Sequence, residues 1–120
     1  MVDTTHFPKV VGGMYRAVNS GFGSGGTASI AAVEGLDICG KTGTAQNPRG
    51  DDHSTFISFA PRNKPKIAIA VYVENGGFGA EFGVPIGALM MEKYLTDSLT
   101  AESEKKAETI SKKSIYYGEK

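Results

Sequence analysis

Residues 67–73 read Ile-Ala-Ile-Ala-Val-Tyr-Val, a continuous apolar run of strand length. Such a run predicts a β-strand buried on both faces. Just before it, residues 55–60 (Thr-Phe-Ile-Ser-Phe-Ala) are aromatic and β-branched, and Pro61 ends them. The link Pro61-Arg62-Asn63-Lys64-Pro65 is a short turn by composition, so the pair predicts an antiparallel hairpin. Whatever else the chain forms must cover that hairpin.

Helical signals lie outside it. Over residues 7–19, Val10, Val11, Met14 and Val18 recur at helical spacing, Pro8 suits a first turn, and Ser20-Gly21 stop the helix. A second helix is predicted from about Gly83 to Leu95, with Val84, Ala88, Met91 and Leu95 on one side and Pro85 in its first turn. Between the first helix and the hairpin, residues 36–46 alternate like a strand, and 27–33 could form a short one. Strands in the middle and helices at the ends predict an α+β fold, with an antiparallel sheet of about three main strands flanked by an N-terminal and a C-terminal helix. Residues 1–98 form the folded part. Residues 99–120, dense in Glu, Lys and Ser, read as a charged tail that is a frayed helix or disordered.

At 120 residues there is material for one domain. The charge balance, 13 basic against 13 acidic side chains, gives no electrostatic reason to expect nucleic acid as a partner. No apolar run reaches the roughly 18–20 residues of a membrane span, and Met1–His6 lacks the basic and apolar regions of a signal peptide. The single cysteine, Cys39, excludes an internal disulfide and reads as packing. Glycine is abundant, 16 residues, which means frequent turns or close backbone approach.

Three motifs compete for the chemistry. Residues 35–42 (Gly-Leu-Asp-Ile-Cys-Gly-Lys-Thr) satisfy the G-x-x-x-x-G-K-[ST] phosphate-loop pattern, and residues 69–74 resemble its partner strand ending in a carboxylate, Glu74. That chemistry needs a helix starting at the Lys-Thr, whereas Gly43-Thr44-Ala45-Gln46-Asn47-Pro48 is a poor helix start. Residues 21–26 match G-x-G-x-x-G, yet they follow a helix, so a loop is the better reading. The third motif is Lys41-Thr42-Gly43-Thr44 on an extended segment. A cation and two hydroxyls there could hold a carboxylate, while bare Gly43 leaves room for a substrate backbone. Asp51-Asp52-His53 reads as a solvated loop, so neither a metal nor a cofactor is expected.

Residues 40–46 (Gly-Lys-Thr-Gly-Thr-Ala-Gln) resemble the K-T-G box of penicillin-binding proteins. Further segments are similar, in order, to the C-terminal part of the class B members, most of all the elongation type. They are residues 12–19 (Gly-Gly-Met-Tyr-Arg-Ala-Val-Asn), 26–28 (Gly-Thr-Ala), 59–61 (Phe-Ala-Pro) and 73–77 (Val-Glu-Asn-Gly-Gly). The resemblance covers about residues 6–98. It implies the fold shared by serine β-lactamases and D,D-peptidases, and a D,D-transpeptidase that cross-links peptidoglycan stem peptides through an acyl-serine trapped by β-lactams. Lys41 would place positive charge beside the nucleophilic serine, and Thr42, Gly43 and Thr44 would bind substrate. The Thr44 N–H would form half of an oxyanion hole. Strict alternation puts Lys41 and Gly43 on one face of a strand and Thr42 and Thr44 on the other, a tension with joint action.

The family's nucleophile box, S-x-x-K, occurs here only as Ser103-Glu104-Lys105-Lys106, after the matching segments, and S-x-N does not occur. The expectation is therefore one wall of an active site, inactive alone, from a protein anchored in the cytoplasmic membrane with this part outside it. Stem peptide and β-lactams would be ligands of that longer protein. A binding module that holds a carboxylate without chemistry is the alternative. An isolated piece of sheet should also self-associate through an edge or an apolar face.

Overall fold

The structure, a computed structural model, describes every residue except Phe22, Gly25, Glu119 and Lys120, so the G-x-G-x-x-G match at residues 21–26 lies partly outside the described residues. Helix α1 (Phe7–Asn19) is followed by the strands β1 (Cys39–Ala45), β2 (His53–Ala60) and β3 (Ile67–Val73), then by helices α2 (Gly83–Thr96) and α3 (Ala101–Ser111). The strands form one antiparallel sheet in the order β1-β2-β3, with Thr42 opposite Phe56 and Phe56 opposite Val71. The hairpin and both flanking helices stand where the sequence places them, and the extended segment is shortened to β1. Among the described residues no helix is long and apolar enough to cross a membrane.

The register divides the side chains between two faces. Ser54, Phe56, Ser58 and Ala60 of β2 turn toward α2 and are buried. The core joins them to Val18 from α1, Ala28 and Ala31 from the α1–β1 connection, Ile38 before β1, and Val84, Ala88 and Met91 from α2. Glycines permit this contact. A Cβ at Gly40 would come within 2.6 Å of the Phe56 ring, and one at Gly87 on α2 within 2.7 Å of it.

Three local expectations change. Residues 27–33 do not form a strand. Ser29–Ala31 is a single 3-10 turn, closed by hydrogen bonds from the Ala31 N–H to the Ala28 carbonyl and from the Ala32 N–H to the Ser29 carbonyl. Residues 36–38 precede the strand as irregular chain, in which Asp37 has φ 48°. Finally, β3 is not buried on both faces. It is an edge strand whose Ala68, Ala70 and Tyr72 are exposed, because α2 covers only the side carrying Ile67, Ile69 and Val71. The same open face carries Ile57 and, on α1, Val10, exposed by 54% and 58%.

The charged segment after residue 98 takes helical form as α3. The Thr100 hydroxyl caps it by accepting the Ser103 N–H at 3.3 Å. Buried Glu92 on α2 accepts the Thr100 N–H at 2.8 Å, tying the two helices together. Helix α2 has no side-chain cap of its own, and Ser54 on β2 fills that role by accepting the Gly83 N–H at 3.0 Å. Ser54 is fully buried, so Ser54→Ala strands that N–H away from water. The expected loss is about 1–3 kcal/mol, read as a lower urea midpoint with an unchanged m-value.

Candidate functional site

Strand β1 carries Lys41, Thr42, Gly43 and Thr44 along one edge of the sheet. Two attachments hold it. The Asn19 side-chain amide donates to the Ile38 carbonyl at 2.9 Å and to the Tyr15 carbonyl at 2.9 Å, joining the end of α1 to the approach to β1. The Arg62 N–H donates to the Asp37 carbonyl at 3.0 Å, while its guanidinium lies 4.8 Å from the Tyr15 ring centre.

The predicted alternation holds. Lys41 and Gly43 stand opposite Ile57 and Thr55 on the open face, and Thr42 and Thr44 opposite Phe56 and Ser54 on the α2 face. Lys41 is exposed, and its ammonium donates to the Thr42 carbonyl at 2.8 Å. It borders an open depression of about 670 Å³ between α1 and the sheet, floored by Val10, Met14, Ala17 and Ile57, with Arg16 and Thr27 at its rim. A cation thus stands beside a largely apolar hollow.

On the other face the Asn75–Phe82 loop crosses the sheet. A Cβ at Gly79 would lie 2.8 Å from the Gly43 and Thr55 carbonyl oxygens and 3.1 Å from Thr42 Cβ. Thr42 is therefore partly enclosed, with its hydroxyl 3.5 Å from that of Thr27, whereas Thr44 is exposed. Gly43 has a packing reason to be glycine, since a Cβ there would run into the Thr55 hydroxyl. Thr27, beside Thr42, is a site neighbour that the sequence does not announce. The two are joined only through an irregular connection, and nothing in their spacing signals the contact.

The remaining candidates have structural partners. Asp52 accepts the Asn47 N–H at 3.0 Å and His53 Nδ1 accepts the Asn75 N–H at 3.0 Å, so both tie loops together. Cys39 is fully buried, and that burial pushes its thiol above the ordinary range, away from the reactive thiolate. The phosphate-loop reading fails on geometry. Lys41 and Thr42 lie inside a strand, and no helix begins there to turn its N–H groups toward a phosphate. Ser103, of the lone S-x-x-K, is buried in the α3 cap, and Lys106 is engaged with Glu102 at 2.9 Å.

Proteins similar to this chain include peptidoglycan D,D-transpeptidases. Peptidoglycan D,D-transpeptidase MrdA of Haemophilus influenzae is 33% identical over 102 residues, covering 72% of this chain and 15% of that protein. Peptidoglycan D,D-transpeptidase PbpA of Mycobacterium tuberculosis is 41% identical over 73 residues, covering 53% of this chain and 15% of that protein. Among solved structures, the imipenem acyl-enzyme of penicillin-binding protein A from M. tuberculosis superposes with a TM-score of 0.65 at 34% identity, over 79% of this chain and 20% of that one. The D,D-transpeptidase domain of a peptidoglycan glycosyltransferase from Eggerthella lenta gives 0.62 at 28% identity, over 82% and 22%. The chain thus spans about a seventh of the length of these curated relatives. Residues 1–92 match the penicillin binding protein transpeptidase domain, and the chain belongs to that family.

Proposed function

We propose that the chain supplies the substrate-binding wall of a peptidoglycan D,D-transpeptidase site and does not form an acyl-enzyme alone. The observation that carries this reading is the K-T-G segment on an edge strand, with Lys41 beside an open apolar hollow. An edge strand can accept an extended substrate alongside it, the mode by which peptides add to sheets. Lys41 supplies positive charge where a serine oxygen and a substrate carboxylate would meet. Thr44, exposed on β1, offers a hydroxyl to that carboxylate and a backbone N–H to the developing oxyanion. Thr42 contributes more weakly, since its hydroxyl already lies against Thr27.

A nucleophilic serine needs a base within hydrogen-bond reach, and the one S-x-x-K of this sequence is occupied elsewhere. The serine-bearing part of the site therefore belongs to a longer protein, anchored in the cytoplasmic membrane with this segment on its outer side. Stem peptides and β-lactams are ligands of that assembled site. Incubation with a fluorescent β-lactam tests the reading. The 120-residue chain is expected to stay unlabelled, and a longer chain with S-x-x-K and S-x-N boxes upstream to be labelled covalently. Stoichiometric, denaturation-resistant labelling of the 120-residue chain overturns it.

A further inference from the structure

We propose that residues 101–118 form a strap that holds together the segments around Thr42, with Lys113 as its main fastening, and so positions the wall that receives a substrate's terminal carboxylate. The functional half of this inference rests on the transpeptidase reading above. The structural half rests on contacts within this chain alone. The family match ends at residue 92, and the strap starts beyond it, with α3. By composition the strap is a charged tail with few apolar anchors. It is fixed instead by contacts with three separate segments, each of which borders the K-T-G strand or its covering.

The first segment is the turn at Ser29–Ala31. Lys106 donates to the Ile30 carbonyl at 3.5 Å, and its ion pair with Glu102 keeps it on α3. That turn closely follows Thr27, whose hydroxyl lies against that of Thr42. The second is the Asn75–Phe82 loop. Lys113 donates to the Glu81 carbonyl at 3.1 Å, and its ammonium stands 5.0 Å from the Phe82 ring centre. A carbonyl acceptor and an aromatic face thus hold one cation at two points. Glu81 and Phe82 closely follow Gly79, the residue that covers Thr42 and Gly43. Thr109 and Ile110 of α3 share one groove of about 310 Å³ with Ile30, Ala80 and Pro85, so α3 lies over both segments at once. The third is the β1–β2 loop. Ser114, Ile115 and Tyr116 share a cavity with Gly77 and Asp52, and the Gly118 carbonyl comes within 3.3 Å of where a Cβ at Gly50 would stand. The two loops are also joined to each other, since the Gly77 N–H donates to the Asp52 carbonyl at 2.8 Å. The strap therefore spans the Thr42 enclosure from side to side. Among the described residues, none of 101–118 lines the hollow beside Lys41. Lys113 is thus a positioning residue that acts through the loop on the carboxylate side of the site.

Hydrogen exchange on the 120-residue chain tests the strap, and kinetics of a longer acylating protein that carries this segment test its effect. The reporters are the Gly77, Glu81 and Val84 N–H groups, which pair with the Asp52, Phe78 and Gly79 carbonyls. Lys113→Met keeps the stem but removes the donor and the charge, and should speed their exchange roughly tenfold. Lys113→Arg can donate to the same carbonyl and stack on the same ring, so it should keep the unmodified rates. Lys112→Ala is the control, because Lys112 pairs with Glu108 inside α3, and it should leave the three amides unchanged. Both lysines are exposed, so folding is not at stake, and amides paired between β2 and β3 should exchange alike in every variant. In the longer protein, Lys113→Met should raise KM roughly tenfold for a peptide with a free terminal carboxylate and leave kcat within about twofold, with little effect on the amidated analogue. Equal exchange in K113M and K112A overturns the strap, whatever the enzyme does. Faster exchange with an unchanged KM overturns its positioning role. An unmodified longer protein that fails to acylate overturns the transpeptidase reading and the positioning role with it, while the exchange result stands.

Discussion

Phe56→Ala is expected to lower the unfolding free energy by about 3–5 kcal/mol, a large share of the ~5–15 kcal/mol available to a domain. Phe56 is the largest fully buried side chain among the described residues, and it stands where β1, β2, β3 and α2 meet. Its ring touches the positions where Cβ atoms are missing at Gly40 and Gly87. Removing the ring opens a cavity that those two backbones cannot close, because each is fixed in a strand or helix. The converse substitution tests the same contact. Gly40→Ala places a methyl 2.6 Å from two ring carbons, and overpacking of that kind costs about 1–3 kcal/mol. In a Phe56→Leu background the ring edge is gone, so Gly40→Ala should cost less there than in the unmodified chain. Urea denaturation of the four proteins in this cycle gives the coupling. Strictly additive losses would show that Gly40 is glycine for some other reason.

The legible parts of the fold are those whose signal is local. Val10, Val11, Met14 and Val18 declare α1, and the two apolar runs around Pro61–Pro65 declare the hairpin. What periodicity cannot supply is what lies on the far side of an element. The run 67–73 is apolar throughout, yet whether both of its faces are covered depends on neighbours, and here only one is. Val10 and Ile57 are exposed for the same reason. The connection at 27–33 shows another limit. Its apolar residues suit a strand, but hydrogen bonds within the segment close a 3-10 turn. In the site, the K-T-G box and its alternation were readable from residues 41–44. The packing reason for Gly43 was not, because it depends on Thr55 standing opposite, a fact of register. The enclosure of Thr42 by Gly79 likewise comes from a loop more than thirty residues away in the chain.

That asymmetry between two similar threonines separates their expected contributions in a longer protein that carries this segment and acylates. Lys41→Ala there is expected to slow β-lactam acylation roughly a hundredfold, the scale for removing one preorganised electrostatic group from a reacting centre. It should leave stability within about 0.5 kcal/mol, because the side chain is exposed and its one hydrogen bond goes to the adjacent carbonyl. Thr42→Val and Thr44→Val then divide the carboxylate contact. Both hydroxyls lie on the face opposite Lys41, so a substrate reaching all three must pass across the strand edge. The Thr44 hydroxyl is open to that approach, whereas Thr42 is covered by Gly79 and faces Thr27. Thr44→Val should therefore cost more in kcat/KM toward a substrate with a free terminal carboxylate. An analogue with that carboxylate amidated should lose most of the difference, because the valine removes a donor such a substrate no longer needs. Equal losses for the two threonines would mean that the loop over Thr42 moves aside on binding, and a larger loss for Thr42→Val would reverse the assignment.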